Sequence, residues 1–465
     1  MKRAIYTTVS ALALLAATPA FAGNNNSNVN QTGTNAQAFV SQAGSNSSSD
    51  VEQAGDLNTA NINQDAAVTG ADSTVTQNGN SNLANVTQGD DASGADPVDV
   101  STIEQDGSGN TATVNQTGGT VPGSTFWQNQ SDINQSGDNN DATVTQVDDT
   151  QHSTVSQSSS GNTATVSQGD AGKVATDSSW GNTSTVLQAG GGGHTANVTQ
   201  SSYDNNSWVD QEGSSDSADV TQNSDVFGNS SSIYQAASLD SATVNQSGFG
   251  DNASTISQIS DGDRAHITQV GDGNTSSVNQ SSGYSGFFCG YDCNDPDSAT
   301  ADISQVGDGN SSSVDQSGLS NIAAITQSNT GNTSTVSQSG EGTYAEVNQT
   351  GSGNSSNVDQ SGTGDNYALH YEIDQSGDGN VSDLNQSGTY DSAYVNESGN
   401  GNNSSINQSG DFDFAQVLQS GSGNSSSISQ PGNSNNAYVS QSSDGNISTI
   451  MQGGSYNYAS VTQGN

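Results

Sequence analysis

The chain has 465 residues, of which 4 are Lys or Arg and 48 are Asp or Glu, so its formal net charge at pH 7 is −44. This charge leaves almost no means of binding duplex DNA, RNA or an anionic membrane, because those partners are held by Lys and Arg side chains. Only 28% of the residues are hydrophobic and 5% are aromatic, which argues against an enzyme with one thick core around a pocket. Composition alone would indicate disorder, but the residue pattern indicates an ordered repeat.

Residues 1–22 have the features of a secretory signal peptide. Lys2 and Arg3 precede an apolar run, and Ala20-Phe21-Ala22 supplies an A-x-A cleavage site. We therefore predict export of the chain, with a short leader at 23–28. The same segment could instead be an amphipathic anchor. No later apolar run reaches the ~20 residues that a membrane helix needs.

Residues 29–465 are built from one repeat. A triplet of Val or Ile, any residue and Gln recurs 36 times, most often every 11 residues, if variants such as Val395-Asn396-Glu397 are included. Gly-Asn pairs recur with twice that period, as at Asn310 and Asn332. The repeating unit therefore has ~22 residues in two similar halves, which is typical of a solenoid.

The half-unit from Gln305 to Gln316 can be interpreted position by position. Its Gly-rich start predicts a tight turn, since Gly adopts positive φ at no steric cost. The next residues alternate, so Asn310, Ser312, Val314 and Gln316 lie on one face of a strand. Because the β-branched residue recurs on that face, we predict that it points inward.

These observations predict an all-β fold: a β-solenoid of about 18 coils of ~22 residues, with two short strands per coil stacking in cross-β fashion. Buried Asn and Gln would be costly alone, but stacked in register each side-chain amide can bond its copy in the next coil. The predicted core residues are Val114, Val278, Val314, Val358 and Ile428.

The pattern Gln-x-Gly-x-Gly-Asn-x-small-x-x-x-Gln resembles the curlin repeat, which is found in the subunits of curli fibres. The segment from Gln105 to Gln116 matches it at every position, including Ala112. The segments that match with Ser in place of Ala are 269–280, 305–316, 349–360 and 419–430. The resemblance covers nearly all of the chain after the predicted signal peptide.

The resemblance implies a secreted structural subunit of a functional amyloid. Such a subunit would cross the outer membrane through a dedicated pore and polymerise with its own copies on a nucleator subunit. It would form a fibre on the outer surface of a Gram-negative-type bacterium and support adhesion and biofilm. The residues predicted to form the stacking ladder are Gln105, Asn110, Gln116, Gln269, Asn274, Gln280, Gln305, Asn310, Gln316, Gln349, Asn354, Gln360, Gln419, Asn424 and Gln430.

The repeats differ in regularity along the chain. We predict repeats with loop insertions over 29–280 and regular repeats over 303–465, separated by an insertion at 281–302 that is rich in aromatic and acidic residues. In an exported protein, Cys289 and Cys293 of this insertion are a candidate disulfide. A thiolate metal site is disfavoured, because two Cys are too few.

We predict no cofactor, and Ca²⁺ is the one that the residues leave possible. Asp292, Asp295 and Asp297 could bind it, but they do not match an EF-hand loop and a solvated acidic loop explains them better. No catalytic constellation is evident, since the four His are far apart and the glycines at 190–193 precede neither a Lys nor a helical pattern. We therefore predict that the chain is not an enzyme.

Two alternative functions remain open at this point. A monomeric secreted solenoid could bind a regular surface such as ice through outward Thr pairs, as at Thr111 and Thr113. A cation-binding surface matrix protein would explain the acidity. Acidic turns such as those of Asp272 and Asp308 would repel one another in stacked coils, so salt or Ca²⁺ should promote ordering.

Overall fold

The structure is a computed structural model, and it divides into two compact units, Met1–Gly193 and His194–Asn465. Both the predicted signal peptide and most of the insertion with Cys289 and Cys293 lie outside the described residues, as do Asp292, Asp295 and Asp297. The described residues are 23–65, 70–89, 99–118, 128–147, 150–169, 181–224, 227–281, 298–363 and 371–464.

The described part of the first unit contains 13 short strands, each ending at or just beyond a Gln of the repeat. They are β1 (Asn26–Gln31), β2 (Gln37–Gln42), β3 (Ser48–Gln53), β4 (Thr59–Gln64), β5 (Asp72–Gln77), β6 (Leu83–Gly89), β7 (Val100–Gln105), β8 (Thr111–Thr117), β9 (Gln130–Gln135), β10 (Asp141–Val147), β11 (His152–Gln157), β12 (Thr163–Gln168) and β13 (Thr183–Gln188).

The described part of the second unit contains 23 strands of the same kind. They are β14 (Thr195–Ser202), β15 (Asn206–Gln211), β16 (Ser217–Ser224), β17 (Ser230–Gln235), β18 (Ser241–Gly250), β19 (Ala253–Gln258), β20 (Arg264–Asp272), β21 (Thr275–Gln280), β22 (Thr300–Val306), β23 (Ser311–Gln316), β24 (Ile322–Ser328), β25 (Thr333–Gln338), β26 (Tyr344–Gln349), β27 (Ser355–Gln360), β28 (Tyr371–Gln375), β29 (Val381–Gln386), β30 (Ser392–Glu397), β31 (Asn403–Gln408), β32 (Phe414–Gln419), β33 (Ser425–Gln430), β34 (Asn436–Gln441), β35 (Ile447–Met451) and β36 (Tyr458–Gln463).

Within each unit the odd-numbered strands form one parallel sheet and the even-numbered strands form another. Each strand pairs in register with the strand two places along the chain, so Val314 lies between Val278 and Val336. One coil therefore contributes one strand to each sheet. The predicted all-β solenoid with two strands per coil is confirmed by the 13 strands described in the first unit and the 23 described in the second.

The core is a thin layer between the two sheets of each unit. The row of Val and Ile side chains is buried along the solenoid, as at Val314 and Ile325. The second inward residue differs between the sheets: the odd strands carry Ser, as at Ser312, whereas almost every even strand carries Ala, as at Ala323. The sequence pattern predicted a small residue at this position but not its segregation into a serine column and an alanine column.

The turns bring glycine backbones into close contact along the stack. A Cβ added to Gly399 would lie 1.9 Å from the carbonyl oxygen of Gly421 in the next coil. No side chain fits at that distance, so glycine is required there by the spacing of the coils. Gly401, two residues on, has φ of 65° and open space around it, so its glycine relieves backbone strain instead.

Insertions leave the stacking register unchanged. Gln280 and Gln316 are 36 residues apart because the 281–302 insertion lies between them, yet they pair as directly as Gln316 and Gln338, which are 22 apart. The extra chain is therefore accommodated between strands rather than within them. Among the described residues there is no helix long and apolar enough to cross a membrane.

Candidate functional site: the buried amide ladders

One ladder of glutamine side chains runs along each sheet. In the odd-numbered sheet of the second unit, the Nε2 of Gln316 donates to the Oε1 of Gln338 at 2.8 Å. In the even-numbered sheet, Gln305 donates to Gln327 and Gln327 donates to Gln349, also at 2.8 Å. Each bond joins one coil to the next, so the ladders reinforce the backbone hydrogen bonds along the stacking axis.

The second amide hydrogen of most of these glutamines bonds the opposite sheet. Gln316 of β23 donates to the carbonyl oxygen of Thr300, the first residue of β22, at 3.0 Å. Gln327 of β24 donates to the carbonyl oxygen of Ser311, the first residue of β23, at 3.1 Å. A single buried amide thus links its coil to the next and one sheet to the other, which explains why it can be buried without an unsatisfied hydrogen.

The asparagines at the strand entries bond differently from the glutamines. The Oδ1 of Asn310 accepts the backbone N–H of Asn332 at 3.0 Å, and its Nδ2 donates to the turn carbonyl of Asn329 at 2.9 Å. The side chain is one methylene shorter than that of Gln, so it reaches the turn backbone. Asn274 also donates a side-chain bond to the Oδ1 of Asn252, the asparagine at the same position of the preceding coil, at 3.1 Å. Direct bonds between the asparagine side chains of successive coils therefore occur in some coils.

The structure places every residue of the predicted ladder and core inside a unit, each with at most 1% of its surface exposed. The ladder residues fall into separate columns, because the two sheets carry separate glutamine rows and the two strand entries carry separate asparagine rows. Asn110 precedes an even strand, whereas Asn274, Asn310, Asn354 and Asn424 precede odd strands. The role of these residues in joining different copies of the chain stays a prediction.

A set of buried acids that the repeat pattern did not predict lies in the amide columns. Carboxyl groups occupy the strand-entry position where other coils have Asn, and the Oδ1 of Asp240 accepts the backbone N–H of Asp263 at 3.0 Å just as an Asn would. Their recurrence at the Asn position of the repeat was the available signal. In the second unit, the buried acids at these entries are Asp216, Asp240, Asp263, Asp391 and Asp413.

Burial raises the pKa of three of these acids, Asp240, Asp263 and Asp391, by known amounts. Loss of solvent raises the pKa of Asp240 to about 9, although the N–H bond from Asp263 opposes the shift and the charges of Asp263 and Asp216 add to it. Burial likewise raises the pKa of Asp263 to about 6 and that of Asp391 to about 7. At Asp240, Asp263 and Asp391 the neutral carboxyl form therefore persists to a higher pH than in water.

A buried histidine lies beside the first of these acids. The Nδ1 of His194 is 3.2 Å from the Oδ2 of Asp216, and both side chains are fully buried. His194 also stands at a strand entry, in the same column as the acids. The pair is an ion pair when the imidazole is protonated.

The outward faces carry polar side chains and a few aromatic rings. The outward Thr111 lies beside Asp141, so the threonine array is interrupted at the next coil. Farther along, the rings of Phe414 and Tyr438 and those of Tyr438 and Tyr458 are 5.4 Å apart. No group of three His, Cys, Asp or Glu among the described residues could hold a metal ion.

Comparison with known proteins bears on the repeat itself. The family described as the curlin associated repeat matches residues 297–328, 330–362 and 411–442. All three segments lie in the second unit and contain the in-register strands and amide ladders described above. No curated protein matches the chain in sequence.

Proposed function

This chain is a curlin-repeat protein, and from that premise we propose that it is a secreted structural subunit of a curli-like extracellular amyloid fibre. In this proposal, copies assemble by stacking their coils end to end, and the fibre supports cell adhesion and a biofilm matrix. The curlin repeat is a structural rather than a catalytic unit, so the proposal assigns the chain no enzymatic activity.

The observation that carries the proposal is that the same residue types recur at the same inward positions from coil to coil. The coil of β1 and β2 carries Val29 and Gln42 at the repeat positions that Ile450 and Gln463 hold in the coil of β35 and β36. A coil of one copy would therefore continue the apolar row and the glutamine ladders of another copy. Parallel stacking in register with amide ladders is the arrangement of cross-β assemblies.

The secretion pore and the nucleator subunit are inferred from the family and not from the structure. We propose that the chain is exported by its signal peptide, crosses the outer membrane through a dedicated pore and orders on a nucleator subunit at the cell surface. Ordering outside the cell is compatible with the acidity of the chain, because a net charge of −44 disfavours premature association.

Fibre diffraction tests the proposal. The chain from residue 23 onward, diluted from denaturant and aligned, should give a reflection near 4.7 Å along the fibre axis and one near 10 Å across it. A soluble monomer with stable β-structure and no fibres, in salt and in Ca²⁺, would contradict the proposal and favour the monomeric surface-binding solenoid.

A matched pair of variants distinguishes coil stacking from lateral association. Val461 points inward in β36 and Thr462 points outward in the same strand. Val461→Asp places a charge in the apolar row of the coil that would receive another copy, so fibre growth should stop. Thr462→Asp adds the same charge outside the stack and should still form fibres. Equal growth of both variants would contradict end-to-end stacking.

A further inference from the structure

Glu397 occupies a glutamine position in the ladder of the even-numbered sheet. It ends β30, and the strand register pairs it with Gln375 of β28 and Gln419 of β32. Its side chain is fully buried. Apart from this residue, the ladder position of every even-numbered strand described in the second unit holds Gln.

In the described part of the chain, only one of the two carboxyl oxygens of Glu397 accepts hydrogen bonds. Its Oε2 accepts the Nε2 of Gln375 at 2.9 Å and the Oγ of Ser382 at 3.1 Å. Its Oε1 has no hydrogen-bond partner, and neither has the Oε1 of Gln419 in the next coil. Elsewhere in the ladder this step is a bond from Nε2 to Oε1, as between Gln327 and Gln349.

A carboxylate cannot supply the missing bond. An ionised Glu only accepts hydrogen bonds, so both oxygens of this step would be buried acceptors without a donor. A protonated carboxyl group has one O–H, which is the hydrogen that the ladder lacks here. One proton at the position where glutamine has an N–H would therefore complete this step of the ladder.

We propose that Glu397 in the folded chain is a neutral carboxylic acid that donates its Oε1–H to the Oε1 of Gln419, so that folding binds a proton at this step of the ladder. The proposal concerns a single coil and its two neighbours. It therefore holds for the folded chain whether or not copies assemble into a fibre, and it does not rest on the proposed function.

Among the described residues, the strands packed against Glu397 contribute no cation that would hold it ionised. The inward residues next to it on β28, β29, β31 and β32 are uncharged. The charged residues of these strands are Glu372, Asp374 and Asp383, and all three occupy outward positions. The titratable Tyr394 of β30 also points outward. Burial is accordingly the main cause that raises the pKa of Glu397 from 4.5 to about 7, and the bonds from Gln375 and Ser382 and the nearby hydroxyl of Ser404 oppose it.

The direction of the pH effect follows from this shift. Because the pKa is higher in the folded chain than in the unfolded chain, the stabilisation is complete below about 4.5 and is lost as the pH rises through about 7. A shift of this size corresponds to a ~300-fold change in the folding equilibrium between the two limits. Glu397→Gln restores the amide and should remove this dependence.

Two measurements on the full chain test the proposal, with Glu341→Gln as the matched control because Glu341 is exposed in a turn of the same unit. The infrared spectrum of the folded wild type at pH 5 should contain the carbonyl band of a protonated buried carboxyl. That band should weaken in Glu397→Gln but not in Glu341→Gln. The buried Asp residues contribute to the same band, so the difference between the variants is the readout.

The second measurement is the urea midpoint as a function of pH. The midpoint of Glu397→Gln minus that of the wild type should increase as the pH rises from 5 to 8, whereas the same difference for Glu341→Gln should stay constant. Because the substitution installs the residue of the neighbouring coils, loss of folding is not expected. An unchanged infrared band, or a midpoint difference independent of pH, would overturn the proposal.

Discussion

The Nε2 of Gln316 donates to the Oε1 of Gln338 in the next coil at 2.8 Å and to the backbone carbonyl of Thr300 in the opposite sheet at 3.0 Å. This pair of bonds explains the recurrence of Gln at the end of each half-repeat. Leu has no hydrogen to donate, and Asn in these coils bonds the turn backbone instead. A Glu can replace Gln only if it carries a proton.

Breaking one ladder step should destabilise the second unit. Gln327→Leu keeps the volume of the side chain but removes the bonds to Gln349 and to the carbonyl of Ser311. Since two buried acceptors lose their donor, we expect a loss of about 2–4 kcal/mol in the free energy of unfolding, measured by urea denaturation.

The adjacent residue provides the control for this substitution. Thr326 is exposed on the same strand, so Thr326→Ala should change the free energy of unfolding by less than about 0.5 kcal/mol. Equal losses for Thr326→Ala and Gln327→Leu would show that the ladder bonds contribute nothing beyond the strand itself.

Two glycines of one turn should differ in their tolerance of substitution. The Cβ of Gly399→Ala would lie 1.9 Å from the carbonyl oxygen of Gly421, so the coils must separate locally and the variant should lose several degrees or more in its melting temperature. Gly401→Asn adds a side chain in open space at a φ of 65° that Asn tolerates, so its melting temperature should stay close to that of the wild type. The reverse order would contradict the assigned spacing of the coils.

Removal of a buried acid should stabilise the second unit at high pH. The pKa of Asp240 is raised to about 9 by burial, so its neutral form is favoured and stability is lost as the pH rises from about 3.8 towards 9. Asp240→Asn supplies a permanent neutral side chain. Its urea midpoint should exceed that of the wild type at pH 8, and the difference should narrow at pH 4.

The control for the buried acid is an exposed one that loses the same charge. Asp251 is exposed at a φ of 58°, a conformation that Asn accepts. Asp251→Asn should therefore produce no such pH-dependent difference. A gain at pH 8 as large as that of Asp240→Asn would mean that net charge, and not burial, controls the effect.

Salt should promote ordering of the chain. The backbone N–H of Asp272 donates to the Oδ1 of Asp308 at 3.1 Å, so the turns stack exposed acids at successive coils. The screening length falls from about 30 Å at 0.01 M salt to about 3 Å at 1 M, which weakens this repulsion. The rate at which β-structure forms after dilution from denaturant, followed by circular dichroism, should rise over that range. A rate independent of salt would contradict this explanation.

Much of the fold and of the ladder positions was determined by the sequence alone. Period-2 alternation around Val314 and Gln316 specified a strand and its inward face, and the recurrence of that pattern required coils that stack in register. These inferences succeeded because a one-residue shift in such a strand would turn every apolar side chain outward. Because the same local rule holds in each repeat, a repeat whose own pattern is ambiguous can be interpreted from the others.

Only the tertiary structure decided which atoms meet. It separated the serine column of Ser312 from the alanine column of Ala323. It directed the Asn310 amide to the turn backbone and not to the asparagine of the next coil. It also placed Asp240 and Glu397 in the buried amide columns. These features depend on side-chain length and on which strand entry faces the interior, and a pattern of residue types does not contain distances. Burial then fixes the chemistry, because a carboxyl group removed from water and surrounded by amides is more stable with a proton than without one.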